Sequence, residues 1–203
     1  MTEQMTIING LPGKIHGETL TLRPLQLGDA ARFSEYMSDT DIARMTGSFP
    51  RHFPQLSAEF RIMHMRSQRD RGLSYNYAIT KTDEDKLIGV MDIWRSPPDE
   101  IFEIGYWVAK PFWGQGIATN AAHLIINAAK DTLRITRLKA GVFEDNPASI
   151  RVLEKLGFKR QGPIDFYFSM ARLEKAPSIS LTLDLTYEGS ATDNQLSTQL
   201  ARG

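Results

Sequence analysis

The sequence predicts an α+β domain, a strongly twisted and mostly antiparallel sheet flanked by helices, on three observations. Three strand-like runs, 74–80, 86–94 and 101–108, are separated only by short polar turns, as in an antiparallel meander. The third run passes through a glycine-bearing loop into a long stretch of helical spacing, and another strand and helix follow. Two further alternating runs come after that, before a polar end.

In chain order, residues 1–17 are polar and glycine-bearing and read as a mobile arm. Glu18 to Arg23 alternates as a strand that Pro24 stops, because proline has no N–H for a ladder. Asp29 to Ser38 reads as a short helix with Leu27, Ala30, Phe33, Tyr36 and Met37 as its apolar members. Residues 39–54 are rich in turn formers and broken by Pro50 and Pro54. Ser57 then suits an N-cap, opening a helix to about Arg71 with Phe60, Met63, His64 and Gln68 on one side.

The meander follows. Tyr75, Tyr77 and Ile79 alternate in its first strand; Leu87, Ile88, Val90, Met91 and Ile93 fill the second; Lys81 to Asp85 is a charged turn and Ser96 to Asp99 the next. In the third strand Phe102, Ile104, Tyr106 and Val108 share one face, with Ile101, Glu103, Gly105 and Trp107 on the other. Lys110 and Pro111 end it, and Ile117, Ala121, Leu124, Ile125 and Ala128 then line one helix face. Arg137 to Phe143 reads as a strand, Asn146 to Leu156 as a helix, and 158–172 and 179–187 as two last strands. Residues 188–203 read as a tail, so the expected domain is 18–187.

Composition narrows the function. The chain has 203 residues, 41% of them apolar and 24% charged, enough for one globular domain with a sizeable core. Its 24 basic and 24 acidic residues cancel, which argues against a nucleic-acid footprint. With no cysteine there is neither a disulfide nor a thiol nucleophile, as suits a cytoplasmic protein. The four histidines lack metal-ligand spacing, so no metal is expected. The first residues do not form a signal peptide, and no apolar run reaches membrane-spanning length.

The chemistry concentrates between Ile101 and Ala121, in the order strand, glycine loop, helix N-terminus. The loop Trp113-Gly114-Gln115-Gly116-Ile117-Ala118 brings small residues to the first turn of a helix. Unpartnered N–H groups at the positive end of the helix dipole favour an anion there. A tight structural turn is the alternative reading. No Gly-Lys-Ser/Thr follows, so the loop is not a Walker A loop, and the third glycine of the dinucleotide fingerprint is absent.

The residues 113–118 resemble the pyrophosphate-binding signature of the GNAT N-acetyltransferase superfamily, (Gln/Arg)-x-x-Gly-x-(Gly/Ala), with Trp113 departing from its first position. The segment PFWGQGIATNA and a second block, Asn146-Pro147-Ala148-Ser149 through Val152-Leu153-Glu154-Lys155-Leu156-Gly157-Phe158, are similar to the branch that acetylates ribosomal-protein N-termini. The resemblance implies the GNAT fold, in which the strands before and after the loop helix run parallel and splay apart to admit a pantetheine arm. It implies acetyl-CoA as cosubstrate, direct attack by a primary amine, and an acceptor that is a protein N-terminus or a small-molecule amine. With the balanced charge and the absence of a membrane-length apolar run, neither nucleic acid nor membrane is expected as partner, and a monomer or homodimer is expected. A CoA-binding sensor or assembly module without turnover is the alternative.

Carried onto this chain, the resemblance assigns the pyrophosphate to the amides of Gln115, Gly116, Ala118 and Thr119 at the start of the Ile117 helix, with Gly114 closing the loop. The backbone of Trp107 and Val108 would pair with pantetheine. Asn146 would bond the same arm, and the pair Asn146-Pro147 is equally an ordinary helix start. Glu103 stands where relatives place a base, or is a solvated carboxylate. Ser149 would face the sulfur as proton donor or hydrogen-bond partner, since Leu153 occupies the position where many relatives carry a tyrosine. Gly157 suits the left-handed residue after a helix, with Phe158 folding back on Leu153.

Overall fold

The computed structural model describes residues 10–96 and 101–185; the first nine residues of the expected arm, the tail and the centre of the Ser96–Asp99 turn lie outside them. Its strands are β1 (Ile15–His16), β2 (Leu20–Pro24), β3 (Ser74–Lys81), β4 (Glu84–Ser96), β5 (Ile101–Val108), β6 (Arg137–Phe143), β7 (Lys159–Ser169) and β8 (Glu174–Asp184). They form one sheet in the order β1-β2-β3-β4-β5-β6-β8-β7, antiparallel at every junction except β5–β6. The helices are α1 (Ala30–Met37), α2 (Thr40–Ala43), α3 (Gln55–Asp70), α4 (Ile117–Leu133) and α5 (Pro147–Lys155).

The exceptional junction positions the site. β5 and β6 meet only at Phe102↔Leu138 and Glu103↔Lys139. Beyond those pairs β5 stays with β4 out to Val108, while β6 stays with β8 along its whole length. The sheet therefore opens between β5 and β6, and half of each strand presents unpaired backbone to the gap.

Apolar clusters hold the two sides of the sheet. On one, Phe33, Phe49, Phe53 and Trp107 pack ring against ring beside Ala58, Ile62 and Met65 of α3. On the other, Ile117, Ala121 and Ile125 of α4 and Ile150 and Leu153 of α5 pack on Ile104, Val108, Leu138 and Ala140. The first side also encloses an ion pair. Arg23 Nη1 and Nη2 each donate to Asp29 at 2.8 Å, the two side chains are 3% and 7% exposed, and Arg23 Nε bonds Asp85.

Several expectations are corrected here. α3 starts at Gln55 after Pro54, not at Ser57, and its buried residues are Ala58, Ile62 and Met65. Phe60 and Met63, which the spacing puts together on one side, lie on the outer side, 62% and 54% exposed. A short helix, α2, interrupts the stretch read as turns, capped by Asp39 through the amide of Asp41 at 2.8 Å. Part of the expected arm is built into the domain: Leu11 is buried, and the Pro12 carbonyl accepts hydrogen bonds from Tyr77 Oη at 2.5 Å and Arg69 Nη2 at 2.7 Å.

Candidate functional site

The gap between β5 and β6 is part of a cavity of about 930 Å³ that continues from the glycine loop, past α5, to the underside of α3. Its wall includes Ile104 to Val108 of β5, Ala140 to Val142 of β6, and the start of α4.

At the loop end, Gly114 and Gly116 both adopt φ of +75°, a left-handed conformation that favours glycine. A Cβ at either position would meet nothing within 4 Å, so backbone conformation accounts for the glycines and the space beside them is open. Gly116 is the N-cap of α4 with no side-chain cap, which leaves the first-turn amides uncovered. Gly114, Gly116, Ile117, Ala118 and Thr119 all border the cavity. Arg151 and Lys155, one turn apart on α5, border it too and add positive charge. The Gln115 side chain turns back to the Pro111 carbonyl at 3.1 Å. Trp113 fastens the loop to the end of β5, its indole Nε1 donating to the Val108 carbonyl at 2.6 Å.

At the middle, Asn146 caps α5 by accepting from the Ser149 amide at 3.1 Å, which commits Oδ1 and leaves Nδ2 for a ligand. The Ser149 hydroxyl lies 2.8 Å from the Tyr106 hydroxyl, joining β5 to α5 across the sheet opening. Burial pushes the Tyr106 phenol up to about 12, with the Ser149 bond opposing, so this hydroxyl keeps its proton. Gly157 has φ of +88° and the Phe158 amide returns to the Leu153 carbonyl at 3.0 Å, ending α5 as the spacing predicts. Asp145 braces the neighbourhood through Arg172 at 2.8 Å and Arg44 at 2.8 Å.

On the α3 side, the cavity wall carries Asn76, Asp92, Trp94, His64 and Gln68. Gly105 is opposite Asp92 in the β4–β5 register. The space a side chain at 105 would need is taken by the Trp94 ring, 3.0 Å from the place of a Cβ. Glu103 sits at the paired end of β5, 19% exposed, with Oε1 3.8 Å from Lys139 Nζ; the cavity wall starts one residue on, at Ile104. The Trp107 side chain is core, edge-on to Phe33 at 5.2 Å, so any contact with a threaded ligand falls to its backbone.

Sequence reasoning missed two residues. Tyr106 was a core member of an alternating strand, and its partner is 43 positions away. Asp92 is the one acid inside an otherwise apolar run, 87–93, and that isolation was the available signal. Among the described residues no cluster of three or more His, Asp or Glu side chains could hold a metal, and no helix is long and apolar enough to cross a membrane.

Comparison with known proteins agrees with this geometry. The acetyltransferase (GNAT) domain model matches residues 19–159. The "Probable N-acetyltransferase YjcK" of Bacillus subtilis (strain 168) is 29% identical over 160 residues, spanning 73% of this chain and 84% of the relative. The ribosomal-protein-serine acetyltransferase of Escherichia coli (strain K12) is 34% identical over 93 residues, 45% of this chain and 51% of the relative. Among solved structures, Mycobacterium smegmatis RimJ in complex with CoA-disulfide superposes with a TM-score of 0.72 at 19% identity, covering 92% of this chain and 93% of that one. The uncapped α4 turn, the sheet opening beside it and the family match over residues 19–159 converge on one conclusion: this chain belongs to the GNAT family and is an acetyl-CoA-dependent N-acetyltransferase.

Proposed function

We propose that this enzyme transfers acetyl from acetyl-CoA to the α-amine of a protein N-terminus by direct attack within a ternary complex. The observation that carries the reading is the continuity of the cavity from the α4 amides through the β5–β6 opening to the α3 side. A thioester threaded through the opening presents its carbonyl to an amine arriving from the other end. With no cysteine in the chain, an acyl-cysteine relay is excluded.

In this reading the amides of Gln115, Gly116, Ala118 and Thr119 receive the pyrophosphate, and Gly114 keeps the loop low. The unpaired backbone edge at Trp107 and Val108, with Asn146 Nδ2, holds the pantetheine. Ser149 hydrogen-bonds the leaving sulfur while Tyr106 holds the serine hydroxyl in place. The phenol is too weak an acid to surrender its proton, so the pair stabilises developing charge by hydrogen bonding.

The choice of the α-amine is supported by its low basicity and by likeness to an E. coli protein whose name gives a ribosomal-protein serine as its target. The α-amine titrates near ~8, against ~10.4 for lysine, so far more of it is neutral at pH 7. The test is thiol release with a serine-initiated peptide and with the same peptide blocked at the α-amine but carrying a free lysine. Turnover is expected only with the free α-amine. Faster acetylation of the lysine peptide, or of spermidine, would reverse the assignment.

A further inference from the structure

Two carboxylates line the cavity; Asp41 is held by Lys110 Nζ at 2.6 Å, and Asp92, on the α3 side, has no part in the steps above. We propose that Asp92 receives the incoming amine as its ammonium ion and takes from it the proton whose loss frees the nitrogen to attack the thioester. The proposal rests on the acetyl-transfer reading above.

Four observations support it. Asp92 is in the middle of β4 and lines the cavity directly, opposite Gly105. Its Oδ1 accepts from Asn76 Nδ2 at 2.9 Å, and Ser74 Oγ donates to Asn76 Oδ1 at 2.9 Å; together these bonds fix the amide's orientation. The Ser74–Asn76–Asp92 chain therefore holds the carboxylate from behind and leaves Oδ2 for a ligand. The Trp94 ring against Gly105 makes the adjoining wall aromatic, a surface that also attracts a cation.

The charges around Asp92 suit a proton acceptor. From α3, the Arg61 charge acts on it; that guanidinium stacks over Phe49 at 5.0 Å and bonds Ser48 Oγ at 3.3 Å through Nη2, while its buried Nε has no hydrogen-bond partner. His64, also on α3, lines the same chamber. On β5, Glu103 shares the face beyond Gly105, but Lys139 holds it in an ion pair that Asp92 lacks among the described residues. Burial, opposed by the Asn76 bond and by Arg61, raises the Asp92 carboxyl from 3.8 to about 6, near the operating range of a general base.

The step balances. The ammonium gives one proton to Asp92. The neutral amine forms the C–N bond at the thioester carbonyl, and collapse of the tetrahedral oxyanion breaks the C–S bond. The second nitrogen proton compensates the departing thiolate through solvent, giving amide and CoA thiol, and Asp92 returns its proton to water.

The experiment measures kcat/KM against pH by thiol release from acetyl-CoA for wild type, Asp92→Asn and Glu103→Gln. The acceptor is the best of a serine-initiated peptide, spermidine and kanamycin. Asparagine preserves the bond from Asn76, and the acetyl-CoA-induced rise in Tm reports that each variant is folded and binds cosubstrate. Asp92→Asn is expected to lose ~10²–10⁴ in kcat/KM at pH 7. It should also lose the acid limb near pH 6, its residual rate climbing instead with the neutral amine. Glu103→Gln should keep the limb and stay within about tenfold, less than the typical cost of losing a general base. An Asp92→Asn enzyme that keeps both rate and limb, or a Glu103→Gln enzyme that loses them, overturns the proposal alone. A wild type that binds acetyl-CoA but releases no thiol with any of the three amines overturns the transfer reading and this inference together.

Discussion

Asp92→Asn is expected to stabilise the unliganded protein at neutral pH and to leave it unchanged in acid. The carboxyl is raised from 3.8 to about 6, so the folded state holds its proton more tightly than the unfolded chain does. Between those two values stability falls as pH rises, and above about 6 the full cost of the buried carboxylate is present. About two pKa units at ~1.36 kcal/mol each set an upper bound of roughly 3 kcal/mol. Asparagine carries no such cost and still accepts from Asn76 Nδ2. At ~2–4 °C per kcal/mol for a chain of this size, Tm should rise by up to ~6–12 °C at about pH 7.5. At about pH 4 the two proteins should melt together. Scanning calorimetry at those two pH values and near pH 6, at constant ionic strength, measures this. A difference independent of pH, or a less stable variant at the alkaline end, would refute the reasoning.

Tyr106→Phe removes the hydroxyl that holds Ser149, which should lower kcat about tenfold, a modest share of a typical acid–base contribution, while leaving the acetyl-CoA-induced Tm shift intact. Steady-state kinetics that show a changed KM with unchanged kcat would contradict that role. Asp29→Ala leaves the Arg23 guanidinium buried without its bidentate partner, and should cost about 3–5 kcal/mol in urea unfolding. An effect below ~1 kcal/mol, the scale of an exposed pair, would show that Asp85 and solvent compensate.

Local signals carried much of the fold. Strict alternation located β5, and the run 137–143 located β6 with the bounds the structure shows. Asn146 before Pro147, and Gly157 after the last turn, marked both ends of α5 because caps are chemistry of adjacent residues. In α3, the buried face is not the one that carries the bulky residues. Phe60 and Met63 are large yet exposed, while small Ala58 is fully buried against the sheet. The site divides the same way. The loop 113–118 is a local motif and was legible, whereas the Tyr106–Ser149 bond and the Ser74–Asn76–Asp92 chain arise from strand register and helix placement. Pairings that distant leave no spacing to read.

Thermal unfolding with and without millimolar acetyl-CoA, on wild type and Gly116→Glu, tests most directly whether the opening beside α4 holds the cosubstrate. A ligand at about a hundred times its dissociation constant stabilises the native state by ~2.7 kcal/mol. Wild-type Tm should therefore rise by several degrees. Glutamate at a φ of +75° on the α4 N-cap sets its charge and bulk where the proposed reading puts the pyrophosphate, so the variant's Tm should not respond to acetyl-CoA. An unchanged wild-type Tm, or an equal rise in both proteins, would contradict the account.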